Sequence, residues 1–262
     1  MRAGILTAPR PAIPQVTLVA VTSVALNETA LALQRSAQQA DFAEVVLLSD
    51  RLPDEGLPAC VTWRQIPALS SRSAYSRFLF SDLLAHASTS HMLVVQWDGF
   101  VIQGDCWNPG FLEYDYIGAP WPQFGDGMAV GNGGFSLRSR RLLEALTEYG
   151  LEPGEPEDIA ICRRLRPVLE ARHSIRFAPI EVARAFAFER LEPTGSEFGF
   201  HGVTRLPQVL GPAGFLALLD QLDPLVFRRN EINEMIRETV RRGDLKTALK
   251  LVRRRLLGQF TE

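Results

Sequence analysis

The residues of this chain that could do chemistry fall into four short motifs, and the first is "LVVQWDGF". It is an apolar run that ends abruptly in Asp98 and Gly99. A carboxylate at the tip of a strand can bind a divalent cation, which in turn neutralises phosphate oxygens. The alternative interpretation is a solvated turn, because Asp before Gly is a common turn pair. On its own, this motif leaves both interpretations open.

The second motif is "GNGGFSLRS", residues 131–139. Its three glycines around Asn132 predict backbone that comes close to a ligand, since glycine has no side chain in the way. The chain has neither a GxxxxGK[ST] nor a GxGxxG pattern here, which excludes a standard triphosphate or dinucleotide loop. The alternative is a bulged loop that leads into a strand.

The third motif, "EPEDIAIC", places Glu157 and Asp158 in the first turn of a helix, directly after Pro156. Acidic residues stabilise helix N-termini through the macrodipole, and proline is common at the first helical position. That effect alone explains the composition. The functional interpretation is a general base, or an acceptor of hydrogen bonds from sugar hydroxyls.

The fourth motif is "GFHG", with His201 between an aromatic residue and a glycine. A histidine on such a loop is suited to binding a metal ion. A single histidine without a second ligand nearby in sequence is also common as a structural residue, so both interpretations remain.

Alternating strands and helices must position these motifs. Apolar Val/Thr-rich runs predict strands over 16–23, 44–50, 61–66 and 91–98, and helical spacing predicts helices over 28–40, with Asn27 as N-cap, and over 75–86. Such repetition favours a mainly parallel sheet covered by helices on both faces. Later segments predict helices over 138–149 and 156–172, the latter broken near Pro167, and a strand over 175–185.

The C-terminal part changes character at about Pro212, from which the sequence is helix-forming and net positive. We therefore expect a domain over 1–212 and a helical appendage over 213–262. In the last helix an apolar face is predicted to pack on the domain, with the basic side in solvent or against anionic lipid. That face comprises Leu245, Ala248, Leu249, Val252, Leu256 and Leu257.

Composition limits the class of protein. The chain has 262 residues, 46% hydrophobic and 22% charged, with a net charge of −2, which is typical of globular proteins and gives no electrostatic case for binding nucleic acid. Three separate cysteines, Cys60, Cys106 and Cys162, predict reduced thiols and a cytoplasmic location. No apolar run approaches the roughly 18 residues of a membrane span, and 16–26 is interpreted as a core strand rather than a signal peptide.

The order of the motifs resembles that of the GT-A fold glycosyltransferases. Four segments, "YDYIGAPW", "VGNGGFSLRS", "EDIAIC" and "FGFHG", are similar to a group of uncharacterised bacterial and fungal GT-A-like domains, over roughly 16–210. The resemblance implies an α/β, Rossmann-like fold with a mixed, mainly parallel sheet flanked by helices. It also implies transfer of a sugar from a nucleotide-sugar donor, UDP-linked, to a hydroxyl of a glycan or glycolipid.

The resemblance implies a role for each motif. Asp158, with Glu157 as its neighbour or substitute, corresponds to the base of inverting members. Asp98 and His201 correspond to the metal site, for Mn²⁺ or Mg²⁺. The implied donor-binding residues are Gln96, Trp97, Asp98, Asn132, Gly133 and Gly134. Stacking faces for a sugar or base could come from Trp97, Trp107, Tyr116 and Trp121, for which the alternative is core packing.

The chain departs from the family where the pattern requires a DxD motif. Gln96 occupies the position of the first acid and brings no negative charge. We therefore expect weaker metal binding, or compensation by Asp105 or His201. The same departure favours the first alternative function, a non-catalytic nucleotide-sugar or glycan-binding module. The second alternative is a nucleotidyltransferase. The chain has no Gly-rich loop with a Lys after its first strand, which counts against this function. Peripheral contact with the inner membrane would occur through the basic last helix.

Overall fold

A six-stranded sheet forms the centre of the computed structural model, which describes residues 10–223 and 226–258. The strand order is β3-β2-β1-β4-β6-β5. Strands β1 to β4 run parallel, and β6 runs antiparallel to both β4 and β5. The predicted mixed, mainly parallel sheet is thus confirmed. The strands are β1 (Ala12–Thr22), β2 (Asp41–Ser49), β3 (Thr62–Gln65), β4 (His91–Val95), β5 (Tyr116–Ile117) and β6 (Ser136–Ser139).

Helices cover both faces of this sheet. Within the described ranges no helix has both the length and the hydropathy needed to cross a membrane. The helices are α1 (Leu26–Gln39), α2 (Arg72–Arg77), α3 (Arg140–Leu146), α4 (Glu157–Ile159), α5 (Arg166–His173), α6 (Ile180–Phe186), α7 (Leu206–Gln221), α8 (Arg229–Arg241) and α9 (Leu245–Leu256). A small parallel pair of strands, β7 (Ala187–Phe188) and β8 (Gly199–Phe200), lies between α6 and α7 in chain order.

Strand β1 shows why the sheet is buried on both faces. Successive side chains of a strand point to opposite faces. Leu18 and Ala20 accordingly join one hydrophobic cluster, together with Leu33 of α1. Val19 and Val21 join a second cluster on the other face. The continuous apolar run that predicted this strand is explained by these two cores.

The strand order reverses between β1 and β4. From β1 the chain passes through α1 to β2 on one side, whereas β4 lies on the other side of β1. In open α/β sheets, ligands bind outside the carboxyl ends of the strands at such a switch point. The residues that follow β4 therefore lie where a ligand site is expected.

Two helices predicted as single elements are composite. The helix predicted over 75–86 begins at Arg72, after Ser71, whose hydroxyl accepts a hydrogen bond from Ala74 N. It continues with π-helical and then 3₁₀ turns. The helix that starts at Glu157 likewise becomes π-helical over Ala160–Arg164. It breaks before α5, whose first turn contains Pro167, as the missing N–H of proline predicts.

Two local predictions are wrong. The strand predicted over 175–185 is largely helix α6, in which Ala183 and Phe186 are fully buried. Their separation of three residues is a helical period, which the apolar content of the segment obscured. Asn27 does not cap α1: Ala25 occupies the cap position, and the Asn27 side chain accepts from Glu55 N instead.

The C-terminal helices pack on the loops that follow the central strands. Phe215 and Phe227 share a hydrophobic cluster with Phe100 and Phe200. Helix α7 is interrupted at Gly211, whose φ of 66° is left-handed, directly before Pro212. The predicted change of character at residue 212 therefore coincides with a break in the chain direction. Division of the chain into two domains there remains a prediction.

Candidate active site

A tight turn delivers Asp98 beyond the end of β4. Gln96 N donates to Gly99 O at 2.9 Å, and Gly99 N donates back to Gln96 O at 3.1 Å. Trp97 and Asp98 are thus the two central residues of a hairpin turn, a position that favours Asp next to Gly. The carbonyl of Asp98 also accepts from Gly202 N at 2.9 Å, which joins this turn to the loop that carries His201.

His201 lies between two carboxylates. Its backbone N–H donates to Phe188 O at the end of β7, so the loop after β8 lies beside Glu189. The imidazole Nε2 is 3.7 Å from Asp98 Oδ1, and Nδ1 is 3.6 Å from Glu189 Oε1. Sequence reasoning paired His201 with Asp98 but missed Glu189, because no motif around residue 189 signals a site.

Two amides orient the His201 ring. Nε2 lies 3.1 Å from Gln96 Oε1, and Nδ1 lies 3.0 Å from Asn132 Nδ2. The Asn132 Oδ1 atom accepts from two backbone N–H groups, those of Gly134 and Phe135, so its NH₂ group must face His201. These contacts suit a neutral ring with its proton on Nε2, which donates to Gln96 and accepts from Asn132.

Charge favours the protonated ring. Burial by itself lowers the pKa of His201, but the carboxylates of Asp98 and Glu189 outweigh this and raise the pKa to about 9. The two states compete at Nδ1, where the proton would face the Asn132 amide at 3.0 Å and Glu189 at 3.6 Å. We assign the charged ring to neutral pH, since two carboxylates close to it need a counter-charge. Burial also raises the pKa of Asp98.

Two carboxylate oxygens in this cluster lack hydrogen-bond partners. Asp98 Oδ1 and Glu189 Oε2 are buried and accept no hydrogen bond; their nearest cationic groups are His201 Nε2 at 3.7 Å and Arg190 Nε at 3.8 Å. A buried oxygen without a hydrogen bond is costly unless a ligand satisfies it. Oxygen donors of this kind suit Mg²⁺ or Mn²⁺. Over residues 10–223 and 226–258, no three His, Cys, Asp or Glu side chains are grouped to hold a metal by themselves. A cation here would thus need further oxygens, such as those of a diphosphate.

The glycines of the second motif make room for protein side chains. A Cβ on Gly131 would lie 2.2 Å from the Trp121 ring, one on Gly133 would lie 2.3 Å from Glu157 Oε1, and one on Gly134 would lie 2.0 Å from His201 Nε2. Between them, Asn132 has a left-handed φ of 76°. The expected close approach of backbone thus exists, but the groups that approach are site side chains. Assignment of this loop to the donor remains a prediction.

Asp158 is hydrogen-bonded to the glycine loop. Its Oδ2 accepts from Gly133 N at 3.1 Å, and its Oδ1 accepts from Ile159 N at 2.8 Å. Burial, followed by the charge of Glu157, raises the pKa of Asp158. The Asp158 charge in turn contributes to the raised pKa of His201. Asp98 and Asp158, from the first and third motifs, therefore both act electrostatically on His201.

Glu157 lies beneath the site, in contrast with its neighbour. It is 4% exposed, and both of its oxygens are occupied, by Arg138 at 3.1 Å and by the Ser76 hydroxyl at 3.0 Å. Arg138 is fully buried on β6 and also donates to Gly133 O. Sequence reasoning missed Arg138 and Ser76, because an arginine within an apolar strand gives no indication of its partner.

Of the four aromatic residues considered for stacking, two are buried and two are partly exposed. Tyr116 and Trp121 are buried, and the Tyr116 hydroxyl donates to Asn132 O at 2.9 Å, so for these two the alternative of core packing is confirmed. Trp107 packs edge-on against Phe111 and Phe198. Trp97 is partly exposed and meets Phe227, with ring centres 6.0 Å apart.

Of two further acids, Glu231 borders the site and Asp105 does not. Burial raises the pKa of Glu231 on α8, and the charge of Asp98 adds to this effect. Helix α8 therefore borders the site through Glu231. Asp105, the predicted compensating ligand, is exposed in a 3₁₀ turn that packs against Gln39.

Comparison with known families places the chain in one of them. A family model described as "Protein of unknown function (DUF5672)" matches residues 61–201. Because the match covers more than half of the 262 residues, the chain belongs to this family. The matched range contains every site residue from Gln96 to His201. No curated protein matches the sequence.

Three solved structures similar to this chain, at low identity, are glycosyltransferases. A mannosyltransferase from Pyrobaculum calidifontis, in complex with GDP-Man and Mn²⁺, has a TM-score of 0.45 and 15% identity, covering 82% of this chain and 69% of its own. A glycosyltransferase of Streptococcus pneumoniae has a TM-score of 0.43 and 13% identity, covering 71% and 54%. A glycosyltransferase involved in the glycosylation of the major capsid of PBCV-1 has a TM-score of 0.43 and 10% identity, covering 72% of this chain and 95% of its own.

Proposed function

We propose that this protein is a metal-assisted glycosyltransferase that moves a sugar, with inversion, from a nucleotide-sugar donor to a glycan or glycolipid hydroxyl. One observation carries the proposal. A buried carboxylate, Asp98, lies beyond the end of β4 with one oxygen that has no hydrogen-bond partner. A second carboxylate, Asp158, has a raised pKa, and both acids act on the same His201 ring. The first suits a cation and diphosphate, and the second suits a base.

On the donor side, Asp98 and Glu189 would hold Mn²⁺ or Mg²⁺. The cation, when bound, supplies positive charge that stabilises the departing diphosphate. Gln96, which replaces the first acid, donates one amide hydrogen to the Tyr75 hydroxyl at 2.6 Å. Its second amide hydrogen remains for a donor hydroxyl. A UDP-linked sugar is the donor that we would test first.

On the acceptor side, Asp158 takes the proton from the acceptor hydroxyl. The acceptor oxygen attacks the anomeric carbon, and the bond from that carbon to the phosphate oxygen breaks. The bonding electrons leave with the nucleoside diphosphate. A carboxylate whose pKa is raised by burial and by a neighbouring charge accepts a proton more readily than one in water. A direct displacement of this kind inverts the anomeric centre.

Asp158 fits the role of base better than Glu157 does. Both oxygens of Glu157 are hydrogen-bonded beneath the site, whereas Asp158 is partly exposed and held only by backbone N–H groups. Glu157 instead fixes the position of its neighbour. We likewise propose that residues 1–212 form the donor-binding domain and residues 213–262 a helical segment that borders it.

The test is a panel of nucleotide sugars with Mn²⁺ or Mg²⁺, scored for release of the nucleoside diphosphate. We expect release with one donor class, its loss in Asp98→Asn, and no change in the matched variant Asp105→Asn, because Asp105 is exposed and lies elsewhere. Binding of a donor without release, even with candidate acceptors, would instead assign a nucleotide-sugar-binding module. Release of pyrophosphate from nucleoside triphosphates would assign a nucleotidyltransferase.

A further inference from the structure

Helix α9 exposes a row of leucines. Leu245, Leu249 and Leu256 are 63%, 70% and 80% exposed. Residues separated by four and seven positions lie on one face of a helix, so these side chains form a continuous stripe. Leu257 beside them is 60% exposed. Single exposed leucines are ordinary, but a contiguous apolar patch on a folded protein marks an interaction surface.

The stripe plays no part in packing α9 onto the rest of the protein. The opposite face of the helix does this with Thr247, Ala248, Leu251 and Arg254, all of them buried. Leu251 belongs to the cluster that contains Phe227, and the Arg254 guanidinium donates to Leu219 O. The prediction that Leu245, Leu249 and Leu256 pack on the domain is therefore wrong. The leucines remain available to a partner.

The border of the stripe is positively charged. Helix α9 contains no acidic residue. Lys246 and Arg253 lie exposed beside the leucines, and no carboxylate within the described ranges forms an ion pair with either of them. Lys250, by contrast, pairs with Asp220. Lys246 lies near enough to Asp220 to help lower the pKa of that acid, but neither it nor Arg253 forms a close ion pair among the described residues. An apolar stripe with such basic residues along its edge is the pattern of a helix that lies on a membrane surface.

We propose that α9 docks on an anionic lipid surface, with its leucine stripe in the headgroup region and Lys246 and Arg253 against lipid phosphates. A second copy of this chain is a poorer fit, because a two-fold axis through the stripe would bring the same basic residues against each other. The inference goes beyond the proposed function and does not depend on it. It would bring the protein to the surface where a lipid-linked acceptor is found.

Co-sedimentation of the full chain with phosphatidylcholine vesicles, with and without phosphatidylglycerol, tests this inference in the absence of any donor. We expect binding that requires phosphatidylglycerol and falls as salt rises, because charges at a membrane surface are screened. Replacing Leu245, Leu249 and Leu256 together by Ser should reduce binding by more than tenfold. Lys246→Gln with Arg253→Gln should reduce it by about 30-fold, at roughly fivefold per basic residue.

Matched controls separate the stripe from general effects of hydrophobicity and charge. Leu52→Ser alters a leucine that is 48% exposed in another part of the surface, and Arg172→Gln alters an exposed arginine at the end of α5. Neither should change binding. Because every replaced side chain is exposed, the variants should fold, which circular dichroism checks.

Three outcomes would overturn the inference. The first is no sedimentation with anionic vesicles at low salt. The second is sedimentation that both α9 variants retain. The third is a wild-type dimer in analytical ultracentrifugation that the leucine variant converts to a monomer, which would assign the stripe to a second copy. None of these outcomes bears on donor turnover, so failure here is distinguishable from failure of the proposed function.

Discussion

Arg138 Nη2 lies 3.1 Å from Glu157 Oε1, and the two side chains are 0% and 5% exposed. The same guanidinium donates to Gly133 O at 3.3 Å and to Ser136 Oγ at 3.0 Å. One buried cation thus connects strand β6, the glycine loop and the start of the Glu-Asp helix. This connection holds the Gly133 N–H where it meets Asp158.

Arg138→Met should destabilise the fold by about 3–5 kcal/mol, because it leaves Glu157 charged and buried without a counter-ion. The free energy of unfolding from urea titrations measures this. The double variant Arg138→Met with Glu157→Leu should recover much of the loss, since no lone charge remains. Arg164→Gln, which breaks the more exposed pair with Glu155, should cost about 1 kcal/mol or less. Equal losses of unfolding free energy in Arg138→Met and Arg164→Gln would contradict the role of Arg138 as the buried counter-ion of Glu157.

Gly134→Ala should disrupt the site. The added Cβ would lie 2.0 Å from His201 Nε2 and 2.8 Å from Gln96 Oε1, and relief of such overpacking costs roughly 1–3 kcal/mol. We expect a lower Tm and loss of donor binding. Gly125→Ala is the matched control, because nothing lies within 4 Å of its added Cβ. Similar behaviour of the two variants in thermal unfolding would count against a tightly packed loop.

Asp98→Asn should abolish divalent-dependent binding of UDP and leave the fold intact. The substitution keeps the shape of the side chain but removes the charge that a cation requires. Isothermal titration of UDP with and without Mn²⁺ measures the difference. Asp105→Asn provides the control, since Asp105 is exposed in a separate turn. Mn²⁺-dependent binding that persists in Asp98→Asn would remove Asp98 from the metal site.

Asp158→Asn should lower kcat by about 10²–10⁴-fold, the usual contribution of a general base, with little change in donor affinity. The base must be deprotonated, and its pKa is raised by burial and by Glu157. The wild-type rate should therefore increase with pH up to a value above the ordinary range of an aspartate, and the variant should lose this limb. A pH–rate profile checks both points, and an unchanged profile would leave Asp158 only its favourable charge in the first turn of the helix.

Asp115 should make the fold sensitive to acid. It is 5% exposed; burial would raise its pKa, but hydrogen bonds from Arg141, Ser139 and Arg176 N outweigh this and lower it. A carboxylate with a depressed pKa in the folded state stabilises fully above its unfolded pKa of about 3.9, and this contribution is lost as pH falls below that value. Urea titrations at several pH values should show this slope. It should be weaker in Asp115→Asn, whose stability is lower by about 1–3 kcal/mol.

The elements that were predicted well are those with a local cause. Strands β1, β2 and β4 are continuous apolar runs because they are buried on both faces of a sheet, and period and composition reveal this directly. Helix α6 was missed because three of its seven residues, Ile180, Val182 and Phe186, are β-formers. Only the tertiary packing, in which Ala183 is buried, shows that this segment is a helix.

The sequence alone determined that an acid follows a buried strand, that a glycine loop and a Glu-Asp pair follow it, and that a histidine comes last in this series. These features concern the order of motifs and the residue types within each one, which can be read directly from the chain. Only the tertiary structure decided which of two adjacent acids faces the site, because Arg138, 19 residues away from Glu157, binds that side chain in the interior. It also added Glu189 beside His201 and exposed the leucines of α9. Such contacts depend on which distant elements share a core, and no local pattern encodes that choice.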